Sequence, residues 1–182
     1  MMNASNLANF DLIVLGGGPA GTSGAGAGGL LGKRVALVEK AALVGGAGIN
    51  TGTIPSKTLR ETSLMLSGWR SRRLFGVDLS LRREATITDF MRHEKHVTAS
   101  ERKRSEGRLA LRGVTKFHGT ASFVDPHTIR IVGAGSTETF IHGEKILIAT
   151  GSSPLRPPDA PRRPARRMCR RIRCRSRRRR SR

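Results

Sequence analysis

Tyrosine is absent from the 182 residues, tryptophan occurs once, and aromatic residues make up 4% of the chain. The core must therefore be assembled from Leu, Ile, Val and Ala. Cysteine occurs twice, at Cys169 and Cys174, so the first 168 residues contain no possible disulfide and a secreted, disulfide-stapled scaffold is excluded. The two cysteines have no histidine or further cysteine nearby, which leaves too few ligands for zinc, and no metal site is expected. No long apolar run is present. The first apolar stretch lacks a basic segment before it and is interrupted by Asp11 and a glycine cluster, so neither a signal peptide nor a membrane span fits, and the expected compartment is the cytoplasm.

Acidic residues are scarce, 13 against 34 Lys and Arg, for a net charge of +21. The imbalance is local. Residues 156–182 hold 14 basic and one acidic side chain, leaving residues 1–155 at +8. The basic segment could bind nucleic acid by counterion release, but it contains no lysine and no aromatic on which a base could stack. The length suits one domain with a sizeable core.

What is abundant is glycine, at 22 residues. The run FDLIVL, residues 10–15, ends in GGGPAG, residues 16–21, as a buried parallel strand entering a tight turn does. A helix is expected to about Leu31 and a second buried strand over Arg34–Glu39, giving a βαβ opening. Gly24, Gly26, Gly28 and Gly29 weaken that helix by about 3–4 kcal/mol in propensity, so alanine at exposed members is expected to raise the melting temperature. A loop over residues 44–53 leads to a helix from about Pro55, with Leu59, Thr62, Met65, Leu66 and Trp69 at helical spacing and Gly68 ending it. Residues 70–83 read as loop. Thr88 is expected to cap a long polar surface helix reaching about Arg112, with Phe90, Val97 and Leu111 as its apolar stripe. Strands at 116–123, 128–132 and 137–141 form an antiparallel meander, Lys145–Ala149 forms another buried strand, and a proline-rich linker follows.

Gly16, Gly18 and Gly21 follow a strand, open a helix and precede an acid, Glu39, at the end of the next strand. That context turns a weak glycine pattern into a dinucleotide-binding expectation: the backbone can approach a pyrophosphate at the helix N-terminus while Glu39 accepts from a ribose. Two other constellations carry nothing. His93 and His96 are spaced i, i+3, not the i, i+4 of a zinc-protease helix, and the Arg102–Arg104 run is interrupted by nearby glutamates.

The stretch VGGAGINTGTIPSK, residues 44–57, resembles the GGxCxNxGCIPSK segment of the flavoprotein disulfide reductases, in which two cysteines form the redox disulfide beside the flavin. Gly48 and Thr53 stand at those positions, so thiol–disulfide exchange is excluded. NTGTIPSKTLRE, residues 50–61, is similar to the soluble pyridine nucleotide transhydrogenases of the same superfamily, which carry Thr at the second position. Gly48 departs from the cysteine they usually keep at the first. GTA at 119–121 with FVDPHT at 123–128, and ATGS at 149–152 with Pro154, resemble the family's adenine-contacting stretch and second FAD motif.

The resemblance spans about residues 10–159 and implies an α/β Rossmann-like FAD-binding domain, incomplete, over residues 1–159. It implies that Gly16, Gly18, Pro19, Ala20 and Gly21 face the FAD pyrophosphate, and that Glu39 with Lys40 lies at the adenosine ribose. Gly46 and Thr53 would lie on the flavin side and Lys57 near flavin N5, with Gly119, Ala121, Thr150 and Gly151 completing the site. The implied function is FAD-dependent hydride transfer between NADPH and NAD⁺ in a full-length homodimer, with no catalytic side chain and with NADP and NAD as substrates. Residues 160–182 are expected to be an out-of-frame reading of a GC-rich gene, and the chain to be a truncated fragment that binds FAD weakly or not at all. The alternatives are another FAD-dependent NAD(P)H oxidoreductase without the redox disulfide, and nucleic-acid binding through the tail.

Overall fold

The computed structural model describes residues 7–66, 86–153 and 155. The expected helix end at Gly68 and Trp69, the loop at 70–83, the arginine-rich segment and the side chains of Leu66 and Phe90 lie outside the described residues. The described elements run β1 (Ala8–Leu15), α1 (Pro19–Leu30), β2 (Val35–Glu39), α2 (Gly46–Asn50), α3 (Thr53–Leu66), α4 (Ile87–Leu111), β3 (Thr115–His118), β4 (Thr120–Phe123), β5 (Thr128–Val132) and β6 (Glu138–Ile148), with a 3-10 turn at Ala134–Ser136. All lie in one compact unit that ends at Gly151.

The six strands are ordered β3-β2-β1-β6-β5-β4. Pairing is parallel from β3 to β6 and antiparallel from β6 to β4. The strand period of two divides the core. Ile13, Leu15, Ala36 and Val38 point to one face, where Ile129, Ile131 and Ile141 of the meander cover them. Val14, Val35 and Leu37 point to the other, under Ala25 of α1 and Leu109 of α4. Because both faces are covered, β1 and β2 read as near-continuous apolar runs. Asp11, the acid inside the first apolar stretch, accepts the Arg34 N–H at 2.6 Å and pins the start of β2 beside β1.

Several expected boundaries move. The strand expected over 116–123 is two, β3 and β4, separated at Gly119, where the backbone passes so close to Val132 that a Cβ would lie 2.6 Å from its carbonyl oxygen. The strands expected at 137–141 and 145–149 are one, because Gly143 lets β6 lie flat on Ile13, which a Cβ would approach to 2.7 Å. Thr86, not Thr88, caps α4: its Oγ1 accepts from Asp89 N–H while Asp89 accepts from Thr86 N–H, a reciprocal capping box. The apolar stripe assigned to α4 fails at Leu111, which is 90% exposed; Val97 is half-buried, and Glu94, Thr98, Ser105 and Leu109 are the buried positions. Glu94 and Thr98 lie inward because they satisfy each other, Thr98 Oγ1 donating to Glu94 at 2.9 Å. On α3, Met65 is exposed rather than packed.

Gly28 and Gly29 of α1 are not a weakness that alanine would relieve, whereas Gly24 and Gly26 face the movable tips of Leu147 and Arg112. None of the four is exposed. A Cβ on Gly24 would lie 2.5 Å from Leu147, one on Gly28 would lie 2.9 Å from Val35, and those on Gly26 and Gly29 would strike Arg112, in the second case its backbone oxygen. The missing side chains let α1 seat on the sheet and against the end of α4.

Candidate functional site: a glycine cradle at the sheet edge

At β1 the chain reverses sides: β2 lies on one flank and β6 on the other. In open parallel sheets the crevice at the carboxyl ends of strands beside such a reversal is where ligands bind. The turn 16–18 leaves β1 at this point, and residues 149–151 leave β6 beside it. Gly16 has φ +105° and abuts Ala149 and Thr150 so closely that any Cβ would collide with the Ala149 carbonyl. Gly21 is equally constrained, since its Cβ would strike the Gly16 carbonyl. Folding alone demands both glycines.

Gly18 differs. It is the N-cap of α1 with φ −73°, and a Cβ built on it meets only the Gly46 Cα, at 3.9 Å. No side chain caps α1 and its first turn carries no acid, while Pro19 opens the helix. The result is open space over backbone at a positive helix end, bounded by Gly46 at van der Waals distance; at Gly151, just past β6, a Cβ would meet nothing within 4 Å.

Glu39 closes the turn from the side of β2. Its Oε2 accepts the Gly17 N–H at 2.5 Å and its Oε1 accepts the Ala41 N–H at 2.8 Å. Each carboxylate oxygen can accept again, so the residue holds the turn and remains an acceptor toward hydroxyls. Lys40 follows it, exposed. Gly119 N–H donates to the Glu39 carbonyl at 3.0 Å, which places the β3–β4 junction at the same edge. Ala121 packs its methyl into the core beneath the meander, so only its backbone can face a ligand. The turn at Asp125–Thr128 is placed elsewhere: His127 exchanges backbone and ring contacts with Gly143, which is in register with Phe10, five residues below the end of β1.

The 44–53 stretch, expected as a loop, contains the one-and-a-half-turn α2. Gly45 N–H donates to the Gly17 carbonyl at 2.7 Å, bringing α2 against the turn. Gly46 sits so close that a Cβ would be 2.8 Å from the Gly18 Cα. A Cβ on Gly48 would be 2.7 Å from Pro19 Cγ, so the position that departs from the resemblance is packed for glycine. Thr53 opens α3, and Lys57, four residues on, shares its face; both are exposed, and Lys57 forms no ion pair among the described residues. Three positions escaped the sequence reading: Gly17, whose peptide ties Glu39 to α2, and the pair Asn50 and Arg102. Asn50 Nδ2 donates to Val44 O at 3.2 Å, and its Oδ1 accepts from Arg102 Nε at 3.2 Å and Nη2 at 2.9 Å. Among the described residues there is no cluster of metal-ligating side chains, and no helix is long and apolar enough to cross a membrane.

The pyridine nucleotide-disulphide oxidoreductase family profile matches residues 10–175. The chain belongs to this family. Among its relatives, the soluble pyridine nucleotide transhydrogenase of Mycobacterium bovis is 40% identical over 149 residues, and that of Vibrio parahaemolyticus 38% identical over 152. These matches cover 81% and 83% of this chain but 32% of each relative, so the chain spans about a third of their length. Among solved structures, the HOCl-induced flavoprotein disulfide reductase RclA from Escherichia coli superimposes with a TM-score of 0.64 at 29% identity, over 81% of this chain and 29% of that one. Its Cu(II) complex gives 0.66 at 27% identity, over 84% and 31%. The family's fold is thus the one described here, an oxidoreductase fold with a mostly parallel six-stranded sheet.

Proposed function

We propose that these residues form the FAD-binding part of a soluble transhydrogenase, an enzyme moving hydride between NADPH and NAD⁺ through bound FAD. The observation that carries the reading is Gly18: the fold gives no reason for glycine there, and the space its side chain would fill lies over the N-terminus of α1. A diphosphate fits that cradle, with Gly18 to Gly21 presenting backbone to it, Glu39 receiving ribose hydroxyls, and Thr150 and Gly151 flanking the far side. Gly46, Thr53 and Lys57 would border the isoalloxazine ring. FAD when bound supplies the hydride chemistry. The chain's own residues orient it and exclude water. The missing cysteines at 48 and 53 favour direct hydride transfer over disulfide reduction, and the names of the relatives agree.

The nicotinamide-binding residues would belong to the two-thirds of the relatives that this chain does not match, and a cytoplasmic homodimer is the assembly proposed for the whole enzyme. For residues 160–182, which the profile match enters as far as residue 175, we propose an out-of-frame origin; coding DNA near codon 160 whose alternative frame continues into a second G-x-G-x-x-G supports it, and a single clean frame with homologous tails overturns it. The test of the cradle is Gly18→Ala. It should leave thermal stability within about 0.5 kcal/mol yet weaken FAD retention, read by flavin fluorescence quenching, by about tenfold or more. Unchanged FAD affinity in a folded Gly18→Ala protein would reject the cofactor site, and NADPH oxidation with dyes or quinones but not NAD⁺ would favour another reductase of the family.

A further inference from the structure

We propose that the groove between α1 and α4, separate from the glycine cradle, is a binding site for a phosphate-class oxyanion. The groove encloses about 320 Å³ and is lined by Thr22, Gly26 and Leu30 of α1 and by Ser105, Arg108 and Arg112 from the end of α4, among others. Positions 105 and 108 fall at i and i+3 on α4, and Arg112 is the residue that caps its C-terminus, so the hydroxyl and the two arginines line the groove from the same end of the helix.

Three observations give the groove its chemistry. Ser105 is 97% buried, since only 3% of it is exposed, and its hydroxyl has no hydrogen-bond partner among the described residues. No fully occluded side-chain polar atom among those residues lacks a partner, so the Ser105 Oγ must open into the groove. Arg102 and Arg104 on the same helix are engaged, by Asn50 and Glu101. Arg108 and Arg112 have no side-chain partner among the described residues. Finally, among the described residues no carboxylate lines the groove, and α1 contains no acidic residue along its length. The carbonyl end of α4 accounts for a cation in its last turn. It does not account for two arginines, free of side-chain partners among the described residues, lining one groove beside a buried, unpartnered hydroxyl. Planar guanidinium forks and a hydroxyl donor match the oxygens of a tetrahedral oxyanion.

The site is tested by titrating the ¹⁵N-labelled full chain with inorganic phosphate at constant ionic strength, following amides individually so that the groove, the glycine turn and the arginine-rich segment are read apart. The proposal expects the Gly26, Ser105, Arg108 and Arg112 amides to follow one saturable curve. Arg108→Glu, at an exposed position, should weaken that curve by about tenfold or more, and Ser105→Ala by about threefold. Arg104→Glu removes the same charge outside the groove and should leave it unchanged. Groove amides that stay fixed or drift linearly, or an Arg104→Glu effect equal to that of Arg108→Glu, would overturn the proposal. Loss of FAD binding leaves it standing, because the glycine-turn amides report that site independently.

Discussion

Arg102, in the middle of α4, grips the side-chain oxygen of Asn50 with two N–H groups, at 2.9 and 3.2 Å, across 52 residues of sequence. Asn50 in turn donates to Val44 O, so one guanidinium fixes both ends of the short segment that carries Gly46 and Gly48. Arg102→Ala should cost about 1–3 kcal/mol in denaturant unfolding, because a part-buried acceptor loses a charged donor. FAD affinity should fall with it. Arg102→Lys should recover little, since a point charge cannot reproduce the fork.

Gly48 is packed against Pro19, the first residue of α1. Gly48→Ala should therefore destabilise by about 1–3 kcal/mol through overpacking. The strain falls on the helix end that forms the cradle, so flavin retention should fall beyond what the stability loss explains. A calorimetric scan beside a flavin titration separates the two.

Two glycines in neighbouring helices should respond oppositely to alanine. Gly107 in α4 is exposed, and a Cβ there meets nothing within 4 Å, so Gly107→Ala should stabilise by about 0.5–1 kcal/mol. At Gly29 the Cβ would strike the Arg112 carbonyl, which cannot swing aside as a side-chain tip can, and Gly29→Ala should lower the melting temperature. Equal responses would contradict the α1–α4 contact.

Asp125 Oδ1 accepts the N–H groups of His127 and Thr128, both at 2.8 Å. The His127 N–H first, then hydrogen bonds from Thr128 and the charge of His142, hold its carboxyl below the ordinary value of 3.8 against a weaker opposing effect of desolvation. A depressed native pKa contributes stability that is present above the unfolded value and lost as pH falls through the native one. The wild-type chain should therefore lose this contribution below about pH 3.8. Asp125→Asn should flatten that part of the pH–stability curve while leaving neutral-pH FAD binding unchanged.

The βαβ opening was legible because strand, glycine turn, helix and acid follow one another within 30 residues, where period and turn chemistry act locally. What escaped depends on partners far along the chain. The α1 glycines look like propensity defects until Arg112 and Leu147 are seen beside them. The inward face of α4 is polar, and Glu94 and Thr98 cannot be recognised as core without their mutual hydrogen bond. The short α2 is hidden by its glycines, two of which, Gly45 and Gly46, take positive φ at its start. The candidate site divides the same way. Gly18 and Glu39 announce themselves in sequence, whereas the tether from Arg102 through Asn50 exists only in three dimensions.

The collision course between Gly16 and the Ala149 carbonyl also has a temporal meaning. The turn at residues 16–18 is among the first segments made, yet the wall it leans on is made more than 130 residues later. During synthesis α1 can form early, but it has no opposing strand end until β6 emerges. The cradle is thus a late event built from an early segment, and on the proposed reading cofactor capture would wait for the chain to reach Gly151.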